Sequence, residues 1–296
     1  MENIFGSVVT AMATPFDGEL HVDYNKLAEL TDCLFNSGSD DVLVTGTTGE
    51  SPTLTGHEKV KIYKSVVDAA AKRGKVIAGT GVNSTRETVE LTRAAADAGV
   101  DGIMLVVPYY NKPPQEGLYK HFKEIARSVS LPIMLYNVPG RTSVNLTPDT
   151  TLKLAEIDNV VAIKEASGNL DQVSAICREA PPGFAVYSGD DSMTLPVLSV
   201  GGYGVVSIAS HFVGIAIKEM VTAFKEGKID DAVRQHQKLM PLFKALFMLT
   251  NPVPLKAALA LTGRDMGEPR LPLISLPEDM RLELKALLSK YGLTNS

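Results

Sequence analysis

The sequence predicts an α/β fold, a (β/α)8 TIM barrel with a small C-terminal helical domain, and three observations carry that reading. Eight short apolar runs begin roughly 20–35 residues apart, about the length of one βα unit with its loops. Segments with helical spacing lie between them. The runs themselves show little polar alternation, as expected of strands buried on both faces. Strands alternating with helices imply a parallel sheet, and the count of eight selects a closed barrel. The rival is a doubly wound open sheet. That fold usually carries G-x-G-x-x-G after its first strand, where this chain has Thr14-Pro15-Phe16-Asp17.

In chain order the runs are Val8–Met12, Val42–Thr45, Val76–Gly79, Ile103–Val107, Ile133–Tyr136, Val160–Ile163, Ala185–Tyr187 and Val205–Ile208. Tyr24–Phe35 repeats its apolar residues at three and four. Thr85 to Ala98 reads as a capped, Ala-rich helix stopped by Gly99. Thr147-Pro148-Asp149 opens another, with Thr147 as N-cap and Pro148 at the first helical position. Asp231–Leu249, Val253–Leu261 and Pro277–Lys290 are helical stretches punctuated by Pro252, Pro254, Pro269 and Pro272. We therefore expect a barrel over residues 1–228 and a helical domain over 229–296.

Composition narrows the functional classes. The 296 residues are 45% hydrophobic and 21% charged, ordinary for a globular protein, and the net charge of −5 points away from nucleic acid or an anionic membrane. Cys33 and Cys177 lie far apart within helical segments and read as buried free thiols in a reducing cytoplasm. The start Met1-Glu2-Asn3-Ile4 is acidic, with no signal-peptide pattern behind it and no run long enough to span a membrane.

A TIM barrel does its chemistry at the C-terminal ends of its strands. The sixth run drives straight into Lys164, and an ammonium held there against apolar walls is poorly solvated, which favours the neutral, nucleophilic amine. A lysine that forms a Schiff base needs a proton shuttle. Tyr136, ending the neighbouring fifth run, can supply a phenol, and Thr48 in Gly46-Thr47-Thr48-Gly49-Glu50-Ser51 can relay the proton. Glycines around Thr47 and Thr48 suggest a tight turn with unusual backbone angles. Arg141 offers a fork for a carboxylate. His21, His57, His121, His211 and His236 are scattered without metal spacing, and Asp190-Asp191 reads as a turn and helix cap. No phosphate loop is present. What remains is carbon–carbon chemistry by amine catalysis, with no metal or cofactor beyond the lysine.

Gly46-Thr47-Thr48-Gly49-Glu50, Pro108-Tyr109-Tyr110-Asn111, Tyr136 to Thr142 and Ile163-Lys164-Glu165-Ala166 resemble the pyruvate-dependent class I aldolase superfamily, and within it the dihydrodipicolinate synthase family. The likeness runs through the C-terminal helices. It implies a lyase of lysine and diaminopimelate biosynthesis that condenses pyruvate with L-aspartate 4-semialdehyde. Lys164 would form the Schiff base, with Tyr136, Thr48 and Tyr110 as proton relay, Tyr110 entering from a neighbouring subunit. Thr47, Thr48, Gly189 and Val206 would line the pyruvate pocket, and Arg141 would take the carboxylate of the aldehyde. A homo-oligomer, a tetramer built as a dimer of dimers, is implied with these roles. The rivals are an N-acetylneuraminate lyase or a 2-keto-3-deoxy sugar acid aldolase, and a catalytically silent barrel. Such lyases usually carry serine at the position of Thr47 and lack an arginine at that of Arg141. Ser51, Asn83, Glu87 and Tyr109 match the lysine effector site of regulated relatives. Gly56 and Lys59 depart from it, and the extra cation predicts weak or absent feedback inhibition.

Overall fold

The computed structural model describes residues 4–294. Met1 to Asn3, read above as an acidic start, and residues 295 and 296 of the expected C-terminal domain lie outside the described residues. Strands β1 (Val8–Ala11), β2 (Asp41–Val44), β3 (Val76–Gly79), β4 (Gly102–Val106), β5 (Ile133–Asn137), β6 (Val160–Glu165), β7 (Ala185–Ser188) and β8 (Gly204–Ser207) close in sequence order into one barrel. Each pairs in parallel with its neighbours, β8 with β1 included. Nearly every strand residue is buried, the physical reason the runs lack polar alternation.

Helices α1 (Tyr24–Asn36), α2 (Gly56–Ala70), α3 (Thr85–Asp97) and α4 (Gln115–Ala126) cover the first half of the barrel. A four-residue turn α5 (Pro139–Thr142), α6 (Pro148–Ala155), α7 (Leu170–Glu179), α8 (Thr194–Ser199) and α9 (Ser210–Lys225) complete the ring. Their starts are chemically specified. Asp23 accepts from Asn25 and Lys26 N–H to open α1, and Thr55 with Glu58 forms a reciprocal capping box on α2. Ser84 caps α3 from one residue before the expected start. Thr147 does precede Pro148 at the head of α6, but its side chain caps nothing. Its hydroxyl donates instead to Gln115 Oε1 at 3.0 Å, tying α6 to α4.

Beyond α9 come α10 (Ile229–Ala245), α11 (Val253–Leu261) and α12 (Glu278–Lys290). Leu239, Leu242 and Phe243 bury one face of α10, and Leu284 and Leu288 one face of α12. Cys33 and Cys177 are unpaired and half-buried, not fully buried as expected, because each sits toward the flank of its helix.

Register puts the chemistry in place. Tyr136 pairs with Lys164 across β5 and β6, and paired residues of parallel neighbours face the same side. The phenol and the amine thus meet at the same level of the barrel mouth.

Candidate active site

Lys164 is 5% exposed, and its Nζ lies 4.3 Å from the centre of the Tyr136 ring. No carboxylate among the described residues pairs with it. A glycine makes room for its stem. A Cβ on Gly189 would stand 2.7 Å from Ala166 Cβ and 3.1 Å from Lys164 Cε, so a side chain there would clash with Ala166 and crowd the lysine stem.

The strand ends that carry Tyr136 and Lys164 are locked together one residue further on. Asn137 Nδ2 donates to both oxygens of buried Glu165, at 3.2 and 3.0 Å. Gln172 Nε2 and the Ser167 N–H donate to the same carboxylate at 2.8 and 2.7 Å. A carboxylate so supplied with donors is a stable buried node. It fixes the tips of β5 and β6 and so the spacing of phenol and amine.

The turn after β2 is built differently from the expectation. Gly46 and Gly49 do not supply the left-handed residues; Thr45 and Glu50 do, at φ 52° and 54°. Thr45 is held there by its hydroxyl, which donates to the Gly79 carbonyl at 2.9 Å. Gly49 is required for closeness, because a Cβ would come within 3.0 Å of the Thr45 nitrogen. The Thr14 hydroxyl donates to the Gly49 carbonyl at 2.8 Å and completes the turn.

Two adjoining cavities open above the barrel. The inner one, about 430 Å³, is lined by Lys164, Thr47, Thr48, Tyr136, Arg141, Gly189 and Val206, with Asp190, Asp191 and Asn251. The outer one, about 330 Å³, is lined by Thr45, Ser51, Lys59 and Tyr109 among others. Thr47, Tyr136, Val138 and Arg141 border both. Tyr110 lines neither; it is 90% exposed, at φ 74°. Of the residues matched to an effector site, Ser51 and Tyr109 reach the outer cavity. Asn83 lies beside it, donating to the Tyr109 carbonyl at 3.2 Å, and Glu87 is exposed on α3.

Asp190 and Asp191 act as the turn and cap read from the sequence. Asp190 accepts from the Ser192 N–H, and Asp191 from the Ser207 hydroxyl and the N–H groups of Ile208 and Ala209. Burial raises the Asp191 carboxyl to about 6 despite these donors. His211 is buried away from the cavities, with Nδ1 against the Ile208 carbonyl and Nε2 accepting from the Ala13 N–H.

Sequence reasoning missed Phe247, Thr250 and Asn251, which bring the segment between α10 and α11 to the wall of the inner cavity. A signal existed in Lys256, the lone charge within the apolar α11. A buried helical lysine demands a partner.

Comparison with known proteins places this geometry. The model of the dihydrodipicolinate synthetase family matches residues 4–291. The chain belongs to that family. It is 55% identical over 292 residues to the 4-hydroxy-tetrahydrodipicolinate synthase of Heliobacterium modesticaldum, covering 99% of this chain and 97% of the relative. Against the synthase of the same name from Thermosynechococcus vestitus the identity is 56%, with 99% of each covered. Among solved structures, a family member from Cyanidioschyzon merolae with lysine bound superposes with a TM-score of 0.97 at 48% identity, over 99% of this chain and 100% of that one. No helix among the described residues is long and apolar enough to cross a membrane.

Proposed function

We propose that this family member is a 4-hydroxy-tetrahydrodipicolinate synthase, condensing pyruvate with L-aspartate 4-semialdehyde on Lys164. The observation that carries the reading is the buried Lys164 amine, with no carboxylate partner among the described residues, against the Tyr136 ring in a 430 Å³ cavity. Lys164 attacks the C2 carbonyl of pyruvate, and the carbinolamine loses water to give an iminium. The iminium draws electrons from C3, a methyl proton leaves, and the enamine forms a carbon–carbon bond to the aldehyde carbon. The amino group of the second substrate then adds to the iminium carbon, closes the ring and expels Lys164. The iminium formed on Lys164 is the electron sink, so the cycle calls on no separate cofactor.

Each proton transfer falls to a hydroxyl at the mouth. Tyr136 serves Lys164 directly. The geometry favours Thr47, not Thr48, as its relay partner, because Thr47 shares both cavities with Tyr136 whereas Thr48 borders only the inner one. Thr48 instead holds the pyruvate carboxylate, beside Gly189 and Val206. Arg141, exposed at the rim and bordering both cavities, takes the carboxylate of the aldehyde. Tyr110 completes the relay from a second copy, entering the outer cavity. Its outward, left-handed conformation supports that role, which requires a dimer at least, and we infer a tetramer in the cytoplasm.

Borohydride reduction in the presence of pyruvate, with mass mapping, tests the mechanism. A stable adduct on Lys164, lost in Lys164→Ala together with turnover, is the expected result. A folded protein that yields no adduct would reject the amine mechanism and leave a silent barrel.

A further inference from the structure

We infer that Asn251 is a positioning residue for this reaction, acting through Thr48. The inference rests on the Schiff-base reading above and adds what aims its carboxylate subsite. Asn251 is 6% exposed, and its Nδ2 donates to Thr48 Oγ1 at 3.0 Å across 203 residues of chain. A hydroxyl has one hydrogen and two lone pairs. With one lone pair taken by the amide, the Thr48 hydrogen is free to be delivered to an acceptor in the inner cavity. Thr48 is itself 2% exposed, so bulk water does not compete for that lone pair. The amide thus selects one orientation of a group that would otherwise rotate.

The same C-terminal segment grips the turn at two further points. Lys256 Nζ lies 2.7 Å from Glu50 Oε1, with both side chains 2% exposed or less. The contact is a buried charge pair. The Arg270 N–H donates to Glu50 Oε2 at 2.9 Å. Glu50 is left-handed at φ 54°, a conformation that is unfavourable for a residue with a Cβ and persists where its surroundings enforce it. The turn bearing Thr48 is therefore held from outside the barrel, and Asn251 is the contact that meets the cavity-facing hydroxyl.

The test uses the full-length enzyme with Asn251→Ala, Asn251→Asp, Thr48→Val and the Asn251→Ala/Thr48→Val double variant. Asn251→Ala should raise KM for pyruvate about tenfold, the size of one directed hydrogen bond, with a smaller loss in kcat. Asn251→Asp, nearly isosteric and safe for folding, should not rescue, because a carboxylate cannot donate and would draw the Thr48 hydrogen away from substrate. The double variant should be no worse than Thr48→Val alone. An unchanged KM in Asn251→Ala, a parental KM in Asn251→Asp, or losses that multiply in the double variant would each overturn the inference. Borohydride trapping at saturating pyruvate separates the two readings. An adduct on Lys164 in parent and variants alike, with KM unmoved, sinks only the positioning role; no adduct in the parent sinks both.

Discussion

Replacing Lys256 by methionine keeps most of the side-chain volume and removes the charge that faces Glu50. The pair is sealed, at 2% and 1% exposure, so solvent cannot take over the lost role. Breaking such a pair from one side leaves an uncompensated buried carboxylate and costs about 3–5 kcal/mol. A 296-residue chain has an unfolding entropy of about 0.6 kcal/mol/K, so the melting temperature should fall by roughly 5–8 °C. Glu50 ends the turn of Thr47 and Thr48, and its search for water would move both, so KM for pyruvate should rise in the same variant. Calorimetry and steady-state kinetics read the two effects. Adding Glu50→Gln to Lys256→Met removes the stranded charge and should recover most of the stability, because the penalty belongs to the unpaired ion. A single variant that melts within a degree of the parent with KM unchanged would refute the brace. So would a double variant that melts lower still.

Two further outcomes can be checked directly. The Glu58 carboxyl is held at about 2, against an ordinary 4.5, chiefly by the hydrogen bond from Arg270, whose Nη2 lies 2.6 Å away. The unfolded chain therefore binds the proton more tightly, and the stabilisation is complete above pH 4.5 and lost as pH falls toward 2. The pair is partly solvated, so screening holds the effect to about 1 kcal/mol. Glu58→Gln should cost that amount in denaturant melts at pH 6, and the gap should close near pH 2.5 by about the same amount; an equal gap at both pH values would contradict the assignment. Lys59 is 6% exposed at the outer cavity with no ion-pair partner among the described residues, and burial lowers its pKa. A free lysine bound beside Ser51 and Tyr109 would meet that cation, so millimolar lysine should inhibit weakly, and Lys59→Gln should sharpen inhibition. Strong inhibition of the parent would remove the argument.

How much of this was legible in sequence follows from what local pattern can encode. Runs such as Ile103–Val107 are wholly apolar because both faces of a parallel strand are covered, and that shows without knowing the neighbours. Once the runs number eight, the barrel follows, and with it the rule that Lys164, Tyr136 and the Thr47–Thr48 turn share one mouth. Thr147 does stand at the N-cap of α6, but its hydroxyl makes no capping bond because Gln115, which takes it, stands 32 residues away. The glycines of the turn have a steric role and not the torsional one their sequence suggests, since only the packed structure brings Gly49 against Thr45.

The sequence by itself determined the alternation of strands and helices and the order in which Thr47, Thr48, Tyr136 and Lys164 arrive at the strand ends. These depend on residues close in the chain, or on a topology that closes in sequence order. Tertiary structure alone decided which hydroxyl borders both cavities and which is pinned by Asn251. It also decided that Lys256 neutralises Glu50 from 206 positions away in the sequence. No local pattern carries such contacts, because burial, and not chain proximity, selects the partner of a buried polar group.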